Sequence, residues 1–203
     1  MPPVRKHDLG KGFADPVKDA QRVFRKIMDA MARPGLIQSA EVEVHPPRGI
    51  MVGTAALALA LFDHDTPIWC DHALDHAEAA AWLRFHSGAP IVTDSASSSF
   101  ALVGDPAALR GFDAFSVGSG DYPDGSTTIV MQLETLAEGR PLRLTGPGIK
   151  ESATIAPSPL PEGFLNWLAA NHASFPCGID VILVAGANFA ALPRTTTVKP
   201  MEA

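Results

Sequence analysis

Cysteine is nearly absent: Cys70 and Cys177 are the only two in 203 residues. A disulfide framework is thereby excluded; both thiols are expected to be free, and a reducing cytoplasm is the simplest setting. No charged, apolar and small-residue leader opens the chain. Long apolar runs are missing too. The most apolar stretch, 50–62, is interrupted by Gly53 and Thr54 and falls short of the roughly 20 residues that cross a bilayer, so it reads as a buried helix. Positive charge is in deficit, with 16 Lys and Arg against 22 Asp and Glu and a net charge of -6. Nucleic acid and anionic membrane are therefore disfavoured as partners, and any bound anion must be held by local arginines.

Catalytic fingerprints are equally scarce. There is no HExxH, no paired CxxC, no GxxxxGK[ST] and no GxSxG, and the serine-rich run 95–99 has no acid or histidine marking a nucleophile. Gly118-Ser119-Gly120 runs into Pro123 with no helix following, which excludes a dinucleotide loop. The densest titratable group is Asp63-His64-Asp65, then Cys70-Asp71-His72 and Asp75-His76. A thiolate, two imidazoles and a carboxylate suit zinc if the fold converges them. Asp75 is expected to cap a helix, however, which puts His72 outside it and His76 inside, so no metal is expected.

What is present is a well-packed composition, 46% hydrophobic and 19% charged, fitting one domain over residues 1–203. Asp15 as a cap and Pro16 at the first position open a helix whose Val17, Ala20, Phe24, Ile27, Met28 and Met31 predict the core face. Arg22, Arg25, Lys26, Asp29 and Arg33 form its other face, and Pro34-Gly35 ends it with Arg33 at the helix's negative end. Strands are expected at 36–44, 67–71, 89–93, 100–103, 127–133, 151–155 and 177–184, with 141–144 pairing to 127–133 across the 137–139 turn. Helices are expected from about 49 to 62, from an Asp75 cap with Glu78 to 87, at 106–109 and at 161–173. This alternation predicts an α/β sandwich with a mixed sheet covered by helices on both faces. The opening 1–11, with two prolines and mixed charge, is open to two readings, a mobile terminus or an arm that wraps a partner.

Four strings stand out in order along the chain: Arg33-Pro34-Gly35, Gly146-Pro147-Gly148-Ile149, Phe175-Pro176-x-Gly178-x-Asp180 and Leu192-Pro193-Arg194-Thr195-Thr196. Together they resemble the PhnH subunit family of the bacterial carbon-phosphorus lyase system, over the full length. The resemblance implies a three-layer αβα sandwich similar to the large domain of pyridoxal-phosphate transferases, but without that cofactor. It also implies a non-catalytic subunit in organophosphonate catabolism. The assembled system forms ribose 1-(alkyl)phosphonate 5-triphosphate from a nucleoside triphosphate and an alkylphosphonate. Implied partners are the G, I, J and L components, with a homodimer when isolated.

Five residues are candidates for anion or partner contact. Arg33 and Arg194 sit beside rigid prolines and carry guanidinium forks that match phosphonate or carboxylate oxygens. If merely surface-paired, either should cost about 1 kcal/mol or less on truncation. Gly146, Gly148 and Lys150 could present backbone N–H groups and an ammonium to a phosphonate, although Pro147 removes one donor and a tight turn between two strands is the plainer reading of the string. Lys150, in a Lys-Glu-Ser string, lacks the desolvating pocket a Schiff-base lysine needs and reads as a surface residue. A catalytic group is not assigned. Two alternatives stand beside the subunit reading: a stand-alone small-molecule enzyme using the Asp/His cluster at 63–76, and a phosphonate-binding dimer.

Overall fold

The computed structural model describes residues 9–109 and 111–201. Most of the opening segment, with both readings given to it above, lies outside these residues.

Helix α1, Pro16–Ala32, starts as its sequence dictates. The Asp15 carboxylate accepts the Lys18 amide N–H and Pro occupies the first turn, satisfying a donor that the helix itself cannot. Its buried residues are Asp19, Val23, Ile27 and Ala30; of the stripe predicted as core, Ile27 is buried and Met31 packs partly against the core, while the larger residues nearer solvent do not reach it. The apolar arc of α1 is wider than its neighbours need: α1 packs on α2 (Val52–Leu61) and β8 (Asn188–Leu192) through the side that carries Val23, Ile27 and Ala30. Val17, Phe24 and Met28 are left outside.

The main sheet has six strands in the order β1 (Gln38–Ser39), β8, β7 (Asp180–Ala185), β4 (Thr128–Gln132), β3 (Phe100–Val103) and β2 (Ile68–Cys70). The four strands β2, β3, β4 and β7 are parallel, and β8 is antiparallel to β7 and to β1. Central β4 and β7 are almost wholly buried, as parallel strands covered on both faces must be. Alternate residues enter two separate cores. Leu102, Val130, Ile182 and Val184 meet α1, α2 and α3 (Ala77–Ser87). Ala101, Ile129, Met131, Val181 and Leu183 meet α4 (Phe164–Ala173) and a second sheet. That sheet is three antiparallel strands in the order β6 (Ala153–Ile155), β5 (Leu142–Thr145), β9 (Thr197–Pro200). The α/β architecture with a mixed sheet is present, and the covering on this second face is helix plus sheet.

Several local expectations change. The 36–44 strand shrinks to the two residues of β1, and 89–93 contributes only a single parallel bridge from Ile91 to Ile68. The 141–144 strand does not pair with 127–133; Leu142 and Leu144 turn inward beside Ile155 and Val198, so burial in the second core decides the pairing. His76, not Asp75, caps α3, its Nδ1 accepting the Ala79 N–H at 3.3 Å. Helix α2 has no side-chain cap of its own. Gln132, at the end of β4, fixes its approach instead: the side-chain oxygen accepts the Met51 N–H at 2.7 Å and the amide donates to the Gly49 carbonyl at 2.8 Å.

Candidate functional site

The four distinctive strings, far apart in sequence, meet at one corner of the molecule. Its centre is Arg194, in the loop between β8 and β9. Asp180, at the start of β7, accepts from the Arg194 amide at 2.7 Å, from Nε at 3.2 Å and from Nη2 at 2.7 Å. Nη2 also donates to Ser126 Oγ at 2.6 Å, and Nη1 to the carbonyls of Pro123 at 3.0 Å and Pro176 at 3.3 Å. The two side chains of this pair are only 13% and 17% exposed. Every N–H of the guanidinium is in use, so Arg194 ties its loop to four residues, Pro123, Ser126, Pro176 and Asp180, and has no idle donor to offer a phosphonate.

The Gly146 turn packs against this loop and against the end of α1. A Cβ on Gly148, at φ +80°, would collide with the Ala32 carbonyl oxygen, and one on Gly146, at φ +134°, would lie 2.8 Å from the Thr195 carbonyl oxygen. Backbone carbonyls thus fill both glycine faces, which fits close chain packing rather than a cradle for an anion. Lys150 follows on the exposed side of the turn. Arg33 ends α1, its amide donating to the Asp29 carbonyl at 3.0 Å, and its side chain pairs with Asp29 at 2.8 Å in full view of solvent. Of the five candidate residues, Arg194 is the one largely enclosed by the corner; Gly146 and Gly148 lie on its exposed turn with one face of each against backbone, and Arg33 and Lys150 face outward.

Beyond the corner the surface is apolar. A groove of about 410 Å³ is lined by Met31, Pro123, Phe175, Pro176, Pro193 and Arg194. Phe175 is 63% exposed.

The Asp/His cluster does not converge. The Asp63 carboxyl accepts from Thr66 Oγ1 at 2.7 Å and the Asp65 N–H at 2.9 Å, and these bonds hold it below the usual carboxylate range. His76 is occupied by the Ala79 N–H and by the Arg48 carbonyl at 3.1 Å. His72 lies 3.9 Å from Asp105 on the open surface. Burial pushes the Cys70 thiol up to about 12, with the charges of Asp71 and Asp75 adding to the effect. Among the described residues, no three of these side-chain types are grouped to hold a metal ion. A second cavity of about 310 Å³, lined by Trp69, Asp71, His72, Ser95, Leu109 and Phe115 among others, opens beside the cluster. Its acid is already committed: buried Asp71 accepts the N–H groups of Leu74, Gly104 and Asp105 at 3.1, 2.9 and 2.8 Å. Ser95 Oγ donates to the Ala114 carbonyl. No acid-base pair remains free among these lining residues to do proton-transfer chemistry there.

Reasoning from the sequence noted Asp180 and Phe175 only as parts of a string, without a role, and read the stripe of α1 as core. A carboxylate at the start of an apolar strand was the available signal for Asp180, since a charge there needs a partner. Phe175, beside a proline outside any apolar run, had no periodic signal at all.

The family described as bacterial phosphonate metabolism protein (PhnH) matches residues 11–199. A protein of Rhizobium meliloti named alpha-D-ribose 1-methylphosphonate 5-triphosphate synthase subunit PhnH is 46% identical over 187 residues, 92% of this chain and 94% of its own length. A putative C-P lyase subunit protein, HtxG, of Stutzerimonas stutzeri is 40% identical over 82 residues, 40% of this chain and 42% of its own. A match spanning almost every residue, with its distinctive strings meeting at one corner of the fold, leads to one assignment: the chain belongs to the PhnH family of bacterial phosphonate metabolism proteins.

Proposed function

We propose that this chain is a subunit of the synthase that joins an alkylphosphonate to the ribose of a nucleoside triphosphate, within the carbon-phosphorus lyase pathway. The observation that carries the reading is the 46% identity, over almost the whole of both chains, to a protein named as that subunit. The structure supports an assembling rather than a catalytic role. Its histidines and Cys70 are splayed or committed, whereas Val17, Phe24 and Met28 on α1 and Phe175 are left exposed among the described residues, as the surface of a subunit should be.

In this reading the chain works in the cytoplasm, without a cofactor of its own, beside the G, I, J and L components, and pairs with itself when isolated. Its sandwich is the counterpart of the large domain of pyridoxal-phosphate transferases. Lys150 is exposed, without the desolvation that a Schiff-base lysine needs. Arg33 and Lys150 meet a partner's carboxylates, and Arg194, Gly146 and Gly148 shape the corner that presents them.

Complementation tests the proposal. In Rhizobium meliloti lacking its own PhnH subunit, this chain should restore growth on methylphosphonate as the sole phosphorus source. Expression without growth, while the native gene restores it, contradicts the assignment.

A further inference from the structure

The cavity of about 310 Å³ beside the Asp/His cluster is built largely from residues that follow two adjacent parallel strands. Asp71 and His72 come directly after β2, and the connection from β3 to β4 supplies Leu109, Ala114 and Phe115. The carboxyl ends of neighbouring strands are where open α/β sheets place their ligands. We propose that this cavity is a binding site for a purine base, an amino-substituted planar ring lying on Trp69 with its N–H groups turned to Asp71. The proposal goes beyond the subunit reading and does not rest on it.

Shape is the first support. Trp69 is half-buried on the edge strand β2 and packs against the second core. Phe115 meets it near the perpendicular, with ring centres 5.4 Å apart and planes at 79°, so the two rings do not stack and Phe115 covers at most one face of the indole. An aromatic face in a cleft walled by Leu109 and Ala114 favours a flat ligand that stacks on it. The volume lies at the low end of the roughly 300–1,000 Å³ of small-ligand sites. It suits a single bicyclic ring, with any sugar left outside.

Polarity is the second. Asp71 is the buried polar side chain of the lining, 5% exposed, and a carboxylate only accepts. Its Oδ2 takes the N–H groups of Gly104 and Asp105, whereas Oδ1 takes that of Leu74 alone and keeps room for one more donor. Ser95 spends its hydroxyl proton on the Ala114 carbonyl at 2.9 Å, which leaves its oxygen as a further acceptor. His72 is 71% exposed and belongs to the mouth. Acceptors beside an aromatic floor select a ring that brings donors, as the exocyclic amine of adenine or guanine does. A phosphonate, negative and rich in acceptors, is repelled by the same carboxylate.

Titration calorimetry on the whole chain tests the site. 9-Methyladenine, the ring with its amine and without a sugar, should bind one per chain. 9-Methylpurine, the same ring without an N–H, should bind roughly tenfold or more weakly. Trp69→Ala should weaken 9-methyladenine roughly 5- to 150-fold, the factor that stacking on one aromatic carries. Trp69 also packs on the second core, so Ala114→Phe is the second variant. From an exposed position on the cavity wall it should keep the parent's melting curve and abolish binding.

Adenine and adenosine triphosphate separate two sources of the ring. Comparable binding of both assigns the base of a nucleotide, and binding of adenine alone assigns the free base. The site is overturned if 9-methyladenine does not bind, if 9-methylpurine binds as well, or if binding survives Ala114→Phe. Displacement by methylphosphonate, or adenosine triphosphate bound without adenine, puts the affinity in the anion and overturns it too.

Discussion

Replacing Arg194 with alanine tests whether the motif corner is held from within. The change deletes the guanidinium that donates to Asp180, Ser126 and the carbonyls of Pro123 and Pro176, and it leaves the 17%-exposed Asp180 carboxylate facing the hole. Removing one partner of a pair this well covered costs about 3–5 kcal/mol, because the remaining charge is neither solvated nor paired. The Arg194 amide still donates to Asp180 Oδ1, so the lower part of that range is expected. For a chain of this length each kcal/mol moves the midpoint by roughly 2–4 °C, giving a fall of about 6–15 °C. A thermal melt followed by circular dichroism reads it, and a urea titration should show a lower midpoint at unchanged slope. Arg194→Lys should recover only part, since a point charge cannot reproduce the fork. Arg33→Ala is the internal comparison. Its pair with Asp29 is exposed and worth at most about 1 kcal/mol, so its melt should stay within about 4 °C of the parent. An Arg194→Ala protein that melts as high as Arg33→Ala would refute the reasoning.

Three further outcomes follow. Asp71→Ala strands three backbone donors at the ends of β2 and β3 and should cost about 2–4 kcal/mol in a urea titration, whereas Asp71→Asn, which keeps one acceptor oxygen, should cost less. Gly148→Ala forces a Cβ against the Ala32 carbonyl at a positive φ and should lower stability by at least about 1–2 kcal/mol, measured the same way. The Cys70 thiol, raised by burial from 9.0 to about 12, should resist alkylation at pH 8 in the folded protein and react on unfolding. Because the folded state holds this proton more tightly, the linked stability is full below pH 9 and declines as pH rises from about 9 towards 12; replacing Cys70 with alanine should flatten that decline.

Much of the fold was legible because local signals and burial agreed. Asp15 and Pro16 opened α1 as read, 100–103 is the strand expected there, and the run at 177–184 is too apolar to face water on either side. Where local signals were ambiguous, distant packing decided. The 141–144 strand had a plausible turn before it, yet its partners are β6 and β9, which lie later in the chain and carry the residues that share its core. β8 and β9 passed unnoticed as strands because Asn188-Phe189-Ala190-Ala191 and Thr197-Val198-Lys199-Pro200 are short and weakly patterned. The α1 stripe shows the limit of periodicity most clearly: it identified an apolar face and could not say whether the neighbour is the protein's own sheet or another chain. The corner was legible as a set of strings and not as a place. Only the fold brings Arg194 to Asp180 and sets Gly148 against Ala32.

Affinity capture tests the central claim most directly. This chain, tagged and co-expressed with the G, I, J and L components of its own lyase system, should bring them down together as one complex. A complex of those four that assembles fully while this chain elutes alone would contradict the account.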